Sequence, residues 1–384
     1  MWRRCGLFLA ALAAAALMAL ALDPRAQALL VFLWWADWPP ADWDAPLLPF
    51  PCISKSVCAW DAAEGAWLPP RPRGLDLNGL MLAPFEGVRV RNASAFRVAT
   101  RRPDGAQLGV WVMHGPTPGE GGRRDVAIYA HGNGGNRALA HRVKLYEQAR
   151  VEAARSSGGV ARSRARCSAA PECRLRRAPA ATQLLHDEAS RIDTVVAFDY
   201  SGFAESGRGE SAWDISEARV IDDMLTVDAW VKKALQPRTI IWWGHSLGTG
   251  VALGALERLA DGAKISDASS LPAALVLEAP FTSVVDVAAL QWGPLARLLS
   301  HSFHSLPRAA RRLCPTLVIH GEYDSVVPID QGRAVAMAAG GTFASFASGH
   351  NDIVLRKHQF ARVVNEFLDE SVFARNSSDC SSSS

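Results

Sequence analysis

Residues 239–250 read Thr-Ile-Ile-Trp-Trp-Gly-His-Ser-Leu-Gly-Thr-Gly, and this stretch constrains the chain more tightly than any other. The β-branched and aromatic run predicts a buried strand over 239–243, and 251–259 is helix-compatible. Between them lies a G-x-S-x-G with room only for a tight strand-to-helix turn. Gly244 and Gly248 flank Ser246 at positions where a Cβ would collide. The turn lifts the Ser246 hydroxyl clear of the sheet. It also sets the Leu247 N–H at a helix N-terminus, where developing negative charge is favoured.

The surrounding chain alternates in a way that suits such a turn. Residues 88–98 and 108–113 read as an antiparallel opening, with Pro103-Asp104-Gly105 as turn punctuation. Strands follow at 125–130, 192–199, 273–277, 316–320 and 342–346. Helical patterns run from the glycines after Ala130 to about Arg150, then over 215–235 and 353–368. This predicts an α/β fold with a mostly parallel central sheet and helices on both faces. Ligands of such sheets sit at the carboxyl ends of the strands, where the motifs fall.

A serine hydroxyl needs a base within hydrogen-bond reach, and the base needs a carboxylate to fix its tautomer. Asp324 follows the 316–320 strand and a Gly turn and precedes Val326-Val327-Pro328, which places it in a loop at a strand end. Glu322 and Glu278 are the fallback acids. His350, in Ser348-Gly349-His350-Asn351-Asp352, falls between the last strand and the last helix. Only His350 and His358 follow Asp324, and His358 sits in a helical pattern beside Lys357. His131 and His245 read as structural neighbours of the motifs. The second N–H for an oxyanion is assigned to Asn133 in His131-Gly132-Asn133, beside that of Leu247. No cysteine spacing fits a zinc site, and no metal or organic cofactor is implied.

The net charge of +3 misleads, because residues 150–177 carry eight arginines against two glutamates. The remainder is slightly acidic, with no basic face for nucleic acid. Residues 151–190 read as a basic insertion, either a surface loop touching anionic lipid or one without a selected role. At the N-terminus, Arg3 and Arg4 precede an apolar run over 5–22. This is a removed signal peptide, with Ala19-Leu20-Ala21 as cleavage site, or a retained anchor; the second apolar stretch over 26–35 favours the anchor. Trp34, Trp35, Trp38 and Trp43 suit a membrane interface or packing on the domain. The positive-inside rule puts the rest of the chain on the lumenal side. The sequons at Asn92 and Asn376 agree with that, and the pairs Cys52/Cys58 and Cys167/Cys173 are the disulfide candidates there. Residues 281–312 hold Leu290, Trp292, Leu295, Leu298 and Leu299, which fits a small amphipathic lid or ordinary helix packing.

The series Tyr129-Ala130-His131-Gly132-Asn133, His141-Arg142-Val143, Phe198-Asp199-Tyr200-Ser201-Gly202, Gly244-His245-Ser246-Leu247-Gly248 and Leu277-Glu278-Ala279-Pro280-Phe281-Thr282 resembles the α/β-hydrolases. Within them it is similar to the membrane-anchored lysophospholipid and monoacylglycerol lipases. The resemblance implies an α/β-hydrolase domain over 85–370, interrupted by the insertion. Residues 1–45 form the signal-anchor and interfacial segment, 46–84 a linker and 371–384 a disordered tail. It implies a serine hydrolase with Ser246, Asp324 and His350 as triad and a lipid ester as substrate. The implied class is monoacylglycerol or a lysophospholipid such as lysophosphatidylserine, with a membrane surface as partner and the endoplasmic-reticulum lumen as location. The segment around His350 resembles that of relatives implicated in protein deacylation, which leaves the head group open. The alternatives are an acyl-protein thioesterase and a catalytically silent hydrolase fold acting as a binding protein.

Overall fold

The computed structural model describes residues 93–114, 124–133, 191–203, 215–262 and 270–373. It also describes four short strands before residue 93 and the single positions Gln27, Arg137, Arg142, Leu145, Tyr146 and Ser206. The apolar run over 5–22, the four N-terminal tryptophans, Asn92, Asn376, both cysteine pairs and the 151–190 insertion lie outside the described residues.

Eight strands form one sheet: β1 (Ala93–Ala99), β2 (Gln107–His114), β3 (Asp125–Ala130), β4 (Thr194–Phe198), β5 (Thr239–His245), β6 (Ala274–Glu278), β7 (Thr316–Gly321) and β8 (Thr342–Phe346). Their spatial order is β8-β7-β6-β5-β3-β4-β2-β1. All neighbours from β4 to β8 are parallel, and β2 is antiparallel to both β1 and β4. β3 and β5 are neighbours although β4 falls between them in sequence. The order therefore reverses beside them and opens a crevice at their carboxyl ends.

β3, β4, β5, β6 and β7 are buried along their whole length. That explains why they read as continuous apolar runs rather than as alternating ones. The side chains still alternate between two cores. Ile128, Trp242 and Leu277 face one core, where Val220 and Met224 of helix α1 (Glu217–Leu235) and Val251 of helix α2 (Leu247–Gly262) pack. Tyr129, Trp243 and Val276 face the other, under Phe360, Val364 and Phe367 of the C-terminal helix, Lys357–Leu368. The Trp242 indole donates to Asp228 of α1 at 3.0 Å, so the largest buried side chain of β5 has its one polar atom satisfied.

Local signals set the ends. Ser216 caps α1 by accepting from the Arg219 N–H, Glu217 lies in the first turn, and Lys232 and Lys233 lie in the last. Two expectations are corrected. The run over 88–98 is two strands: Val88–Val90 pairs antiparallel with Leu80–Leu82, and only Ala93–Ala99 joins the large sheet. Arg91 and Asn92, poor strand formers, fall between them. With the antiparallel pair Ala59–Asp61 and Ala66–Leu68, this places strands within the stretch read as a linker. The helix after the serine starts at Leu247, where its N-terminus was expected, and includes the stretch read as helix-compatible over 251–259. Its glycines are weak helix formers, but packing overrides propensity: a Cβ on Gly250 would press on Phe281 and Phe303 at about 3 Å. The C-terminal pattern is a 3₁₀ turn, Ile353–Leu355, then the helix, then a π turn over Asp369–Phe373 where the tail was expected to begin.

Among the described residues no helix is long and apolar enough to cross a membrane. The tightest backbone approach supplies a test. A Cβ on Gly248 would lie 2.0 Å from the Ala130 carbonyl oxygen, which β3 cannot move. Gly248→Ala should cost on the order of 3 kcal/mol, read as a lowered urea midpoint. Gly262→Ala, whose Cβ meets nothing within 4 Å, should shift it by less than about 0.5 kcal/mol. Equal midpoints for the two variants would show that the approach is not constraining.

Candidate active site

Ser246 has φ +51°, a left-handed conformation that costs a non-glycine residue about 1–2 kcal/mol. The surrounding hydrogen bonds hold it there. Its N–H donates to the Glu278 carbonyl at 2.9 Å, and its carbonyl accepts from the Thr249 N–H and hydroxyl at 2.9 and 2.7 Å. A Cβ on Gly244 would come within 2.4 Å of the Gly248 carbonyl oxygen, so the first glycine of the motif is as sterically fixed as the second.

The structure brings Ser246, His350 and Asp324 together from β5, β8 and β7. His350 Nε2 lies 3.0 Å from Ser246 Oγ, and His350 Nδ1 lies 2.7 Å from Asp324 Oδ2. The other carboxylate oxygen, Oδ1, accepts the Val326 and Val327 N–H groups, both at 2.8 Å. Burial raises the Asp324 carboxyl, but hydrogen bonds from His320 and His350 and the Val327 N–H outweigh it and hold the group well below the usual carboxylate range. The loops are stitched to each other: the Glu322 N–H donates to Phe346 and the Tyr323 N–H to Ser348. His245 Nε2 lies 3.1 Å from the His350 carbonyl, and the two imidazole rings lie 5.2 Å apart, so His245 meets both the backbone and the ring of His350.

The two fallback acids go elsewhere. Glu322 accepts from the Ser345 hydroxyl at 2.9 Å. Glu278 is buried, with the Trp243 indole N–H at 3.4 Å. Among the described residues the one free cysteine is Cys314, whose thiol burial pushes up to about 12, so it is no competing nucleophile. No group of His, Cys, Asp and Glu among them is arranged to hold a metal ion.

Asn133 and Leu247 line the same pocket as Ser246. Leu247 opens α2, so its N–H belongs to the first turn, where helical N–H groups lack an intrahelical partner. The loop carrying Asn133 rests on a buried charge pair that the sequence did not single out. Asp199, at the end of β4, ion-pairs with Arg137 and accepts the Arg137 backbone N–H at 2.7 Å. His131 Nε2 lies 3.3 Å from the same carboxylate. Burial, then the Arg142 charge, lower the His131 pKa. The Arg142 guanidinium donates to the Gly132 carbonyl at 3.0 Å and the Tyr200 hydroxyl to the His131 carbonyl at 2.7 Å. Asp199, Tyr200 and Arg142 were visible in the motif series, but nothing in their spacing told what they touch. His320 was also missed. Its Nε2 lies 2.9 Å from the Val327 carbonyl and 3.4 Å from Asp324 Oδ2, bracing the loop that carries the carboxylate.

The pocket measures about 330 Å³. Its walls are Phe281, Leu299, Val326 and Val327, and its roof is helix α3 (Val284–Trp292) through Val284, Val287, Ala288, Gln291 and Trp292. No residue of α3 is fully buried, but Val284, Val285, Val287 and Ala288 pack at partial exposure against the core, so the helix rests on the core while lining the pocket.

No family model matches the chain. The chain is 30% identical over 223 residues to the lysophosphatidylserine lipase ABHD12 of Danio rerio, a match that covers 54% of this chain and 45% of that protein. It is 27% identical over 273 residues to the protein of that name in Mus musculus, covering 64% and 56%. The matched part thus spans about half the length of these curated relatives. Among solved structures, Est1E from Butyrivibrio proteoclasticus with ferulic acid bound is 15% identical with a TM-score of 0.50, covering 72% of this chain and 99% of that one. With the sheet order above, this is the α/β-hydrolase fold.

Glu278 provides a check on the burial of the site's floor. Burial pushes its carboxyl from an ordinary value near 4.5 up to about 7. A raised folded-state pKa means the folded chain holds the proton more tightly. That stabilisation is complete below about pH 4.5 and is lost as pH rises through about 7. Glu278→Gln, neutral throughout, should escape the loss. Wild type should weaken relative to it by roughly 3 kcal/mol between those limits in urea unfolding. Parallel stability curves would contradict the burial of this carboxyl.

Proposed function

We propose that the chain is a serine hydrolase cleaving carboxylic esters of lipids, with Ser246, His350 and Asp324 as its triad. The observation that carries this reading is the unbroken line from the Asp324 carboxylate through the His350 ring to Ser246 Oγ, ending at the floor of an apolar pocket. Ser246 Oγ attacks the ester carbonyl carbon as His350 Nε2 takes its proton. Asp324 holds the Nδ1–H tautomer and stabilises the imidazolium. The N–H groups of Asn133 and Leu247 receive the oxyanion. Collapse of the tetrahedral intermediate expels the alcohol, which takes the proton back from His350 and leaves an acyl group on Ser246. Water, deprotonated by His350, attacks that ester and frees the carboxylic acid and the serine.

A pocket lined mainly by apolar side chains beside the nucleophile, with Asn133 and Gln291 as its polar exceptions, suits an acyl chain better than a polar head group. The likeness to lysophosphatidylserine lipases supports lysophospholipids and monoacylglycerols as the class. The lumenal face of a membrane is the proposed location, with residues 5–22 as anchor; glycan attachment at Asn92 or Asn376 is its readout.

Ser246→Ala should remove ester hydrolysis and fluorophosphonate labelling while leaving the unfolding midpoint in place. Asp324→Asn should lower kcat on the order of 10⁴-fold with KM little changed, as expected when a triad histidine loses its tautomer. The measurement is a panel of monoacylglycerols, lysophospholipids and acyl thioesters. Turnover by Ser246→Ala near the wild-type rate would overturn the assignment, and a preference for thioesters would redirect it to protein deacylation.

A further inference from the structure

The loop assigned to the oxyanion is gripped by a buried charge. Arg142 is 2% exposed, and its guanidinium reaches back over 10 residues to donate to the Gly132 carbonyl at 3.0 Å. His131 Nδ1 lies 2.7 Å from the same oxygen, and since a carbonyl only accepts, that nitrogen carries the proton. Burial, then the Arg142 charge, lower the His131 pKa, so its ring donates as a neutral group. The guanidinium is the charged donor on that oxygen. Taking such a group out of water is costly, and a neutral donor would satisfy a carbonyl as well.

The same peptide abuts the nucleophile. A Cβ on Gly132 would lie 3.2 Å from Ser246 Cβ and 2.8 Å from His245 Nδ1, so the Gly132 backbone packs directly on the serine. Asn133 lines the pocket with Ser246 and Leu247. A trans peptide is planar and sets its C=O and N–H in opposite directions. With the Gly132 carbonyl held by Arg142, the Asn133 N–H of that peptide is turned away from the guanidinium. A cation on the carbonyl oxygen also draws electron density from the nitrogen and makes the N–H a stronger donor. Hydrogen bonds in a chain reinforce one another in this way.

We propose that Arg142 is a positioning residue of the oxyanion site: through the Gly132–Asn133 peptide it aims the Asn133 N–H at the tetrahedral intermediate and strengthens it as a donor. Arg142 does not line the pocket and acts only through that peptide. Its effect is small on the ester, whose carbonyl oxygen carries little charge. It is large on the oxyanion, whose full charge meets the polarised N–H. Loss of the guanidinium charge therefore lowers kcat and leaves KM in place. This rests on the serine-hydrolase reading above, with Asn133 as an oxyanion donor. It gives a part in the reaction to Arg142, which the sequence shows only within the series His141-Arg142-Val143.

The test uses the full chain, a water-soluble short-chain ester and two inhibitors. An alkyl trifluoromethyl ketone adds to Ser246 Oγ and leaves a hemiketal oxyanion in the site, whereas the ether analogue of the ester binds without forming one. Arg142→Gln, which keeps a donor and loses the charge, should lower kcat at least about tenfold with KM within about twofold. Its affinity for the ketone should fall by the same factor, and that for the ether should hold. Arg142→Lys, which keeps the charge, should recover most of the loss at neutral pH. That recovery should disappear as pH rises and the buried ammonium gives up its proton, while the wild-type guanidinium stays charged. Burial pushes the phenols of Tyr129, Tyr146 and Tyr200 up, so wild type is the control for them. This arm removes the charge from a folded protein and so holds even where Arg142→Gln does not fold. A loss in Arg142→Gln carried by KM, or shared equally by ketone and ether, would overturn the proposal. So would equal losses in the two variants at neutral pH, or a kcat of Arg142→Lys that follows wild type to about pH 10.5, past the ordinary lysine value. A wild type that forms no ketone adduct on Ser246 would instead sink the hydrolase reading beneath it.

Discussion

The structure depends on an approach of two backbones too close for any side chain. Gly248, in the first turn of α2, packs on the carbonyl of Ala130 at the end of β3, and Gly244 packs on Gly248. This contact joins the two strands at which the sheet order reverses. It pins the helix N-terminus close to the end of β3, and Ser246, Leu247 and Asn133 line one pocket there. A looser approach would relax the left-handed Ser246 into an ordinary turn. The strain at Ser246 is small beside the fully buried strands that impose it, which is the usual condition for strain to persist at a functional position.

Charge is placed with the same economy. Two carboxylates near the crevice have opposite environments. Asp324 is buried but receives hydrogen bonds from two N–H groups and two histidines, so its charge is the stable form. Glu278 lies one strand away with only a distant indole and resists ionisation. The difference comes from donors, not depth, since both are largely out of water. Asp199 shows the same rule: burial opposes its charge, Arg137 and His131 restore it, and the ion pair anchors the loop bearing Asn133. A buried pair of this kind is weak evidence for stability, but removing either partner would leave the other charge stranded under that loop.

The strands were legible because burial on both faces writes itself as unbroken β-branched and aromatic runs, and the serine because its turn demands glycine on either side. That they pair mostly in parallel followed from their alternation with helices, whereas their order in the sheet did not. Three carboxylates stood as candidates to meet His350, and spacing alone could not separate Glu322 from Asp324, two residues apart in one loop. The loop's own hydrogen bonds separate them: Val326 and Val327 turn their N–H groups onto Asp324, while Glu322 leans out to Ser345. His320, Arg137 and Gln27 were not legible, since each acts through a partner far away in sequence and nothing local marks it. The choice between lid and core helix for 281–312 was closed to the sequence for the same reason. An amphipathic pattern states that one face is covered without stating by what.

The roof differs from the sheet in how it is held. The loops carrying Asp324 and His350 are stitched to each other by short backbone hydrogen bonds, Glu322 N–H to Phe346 and Tyr323 N–H to Ser348. α3 is held by its cap, where Ser283 accepts the Asp286 N–H, by the Val284 N–H to Ser302, and by Gln331 accepting from Thr282. These bonds fasten its N-terminal end, and the Gln27 carboxamide fastens the segment that follows it. From Ala289 to Leu295 the roof has no buried side chain, and among the described residues no such tie holds it. Few buried apolar contacts and bonds only at the ends are the features of a segment that opens at low free energy. The chain thus separates two demands: groups that must sit within tenths of an ångström of one another are built on the sheet. The surface over the pocket is hung from two points across its edge.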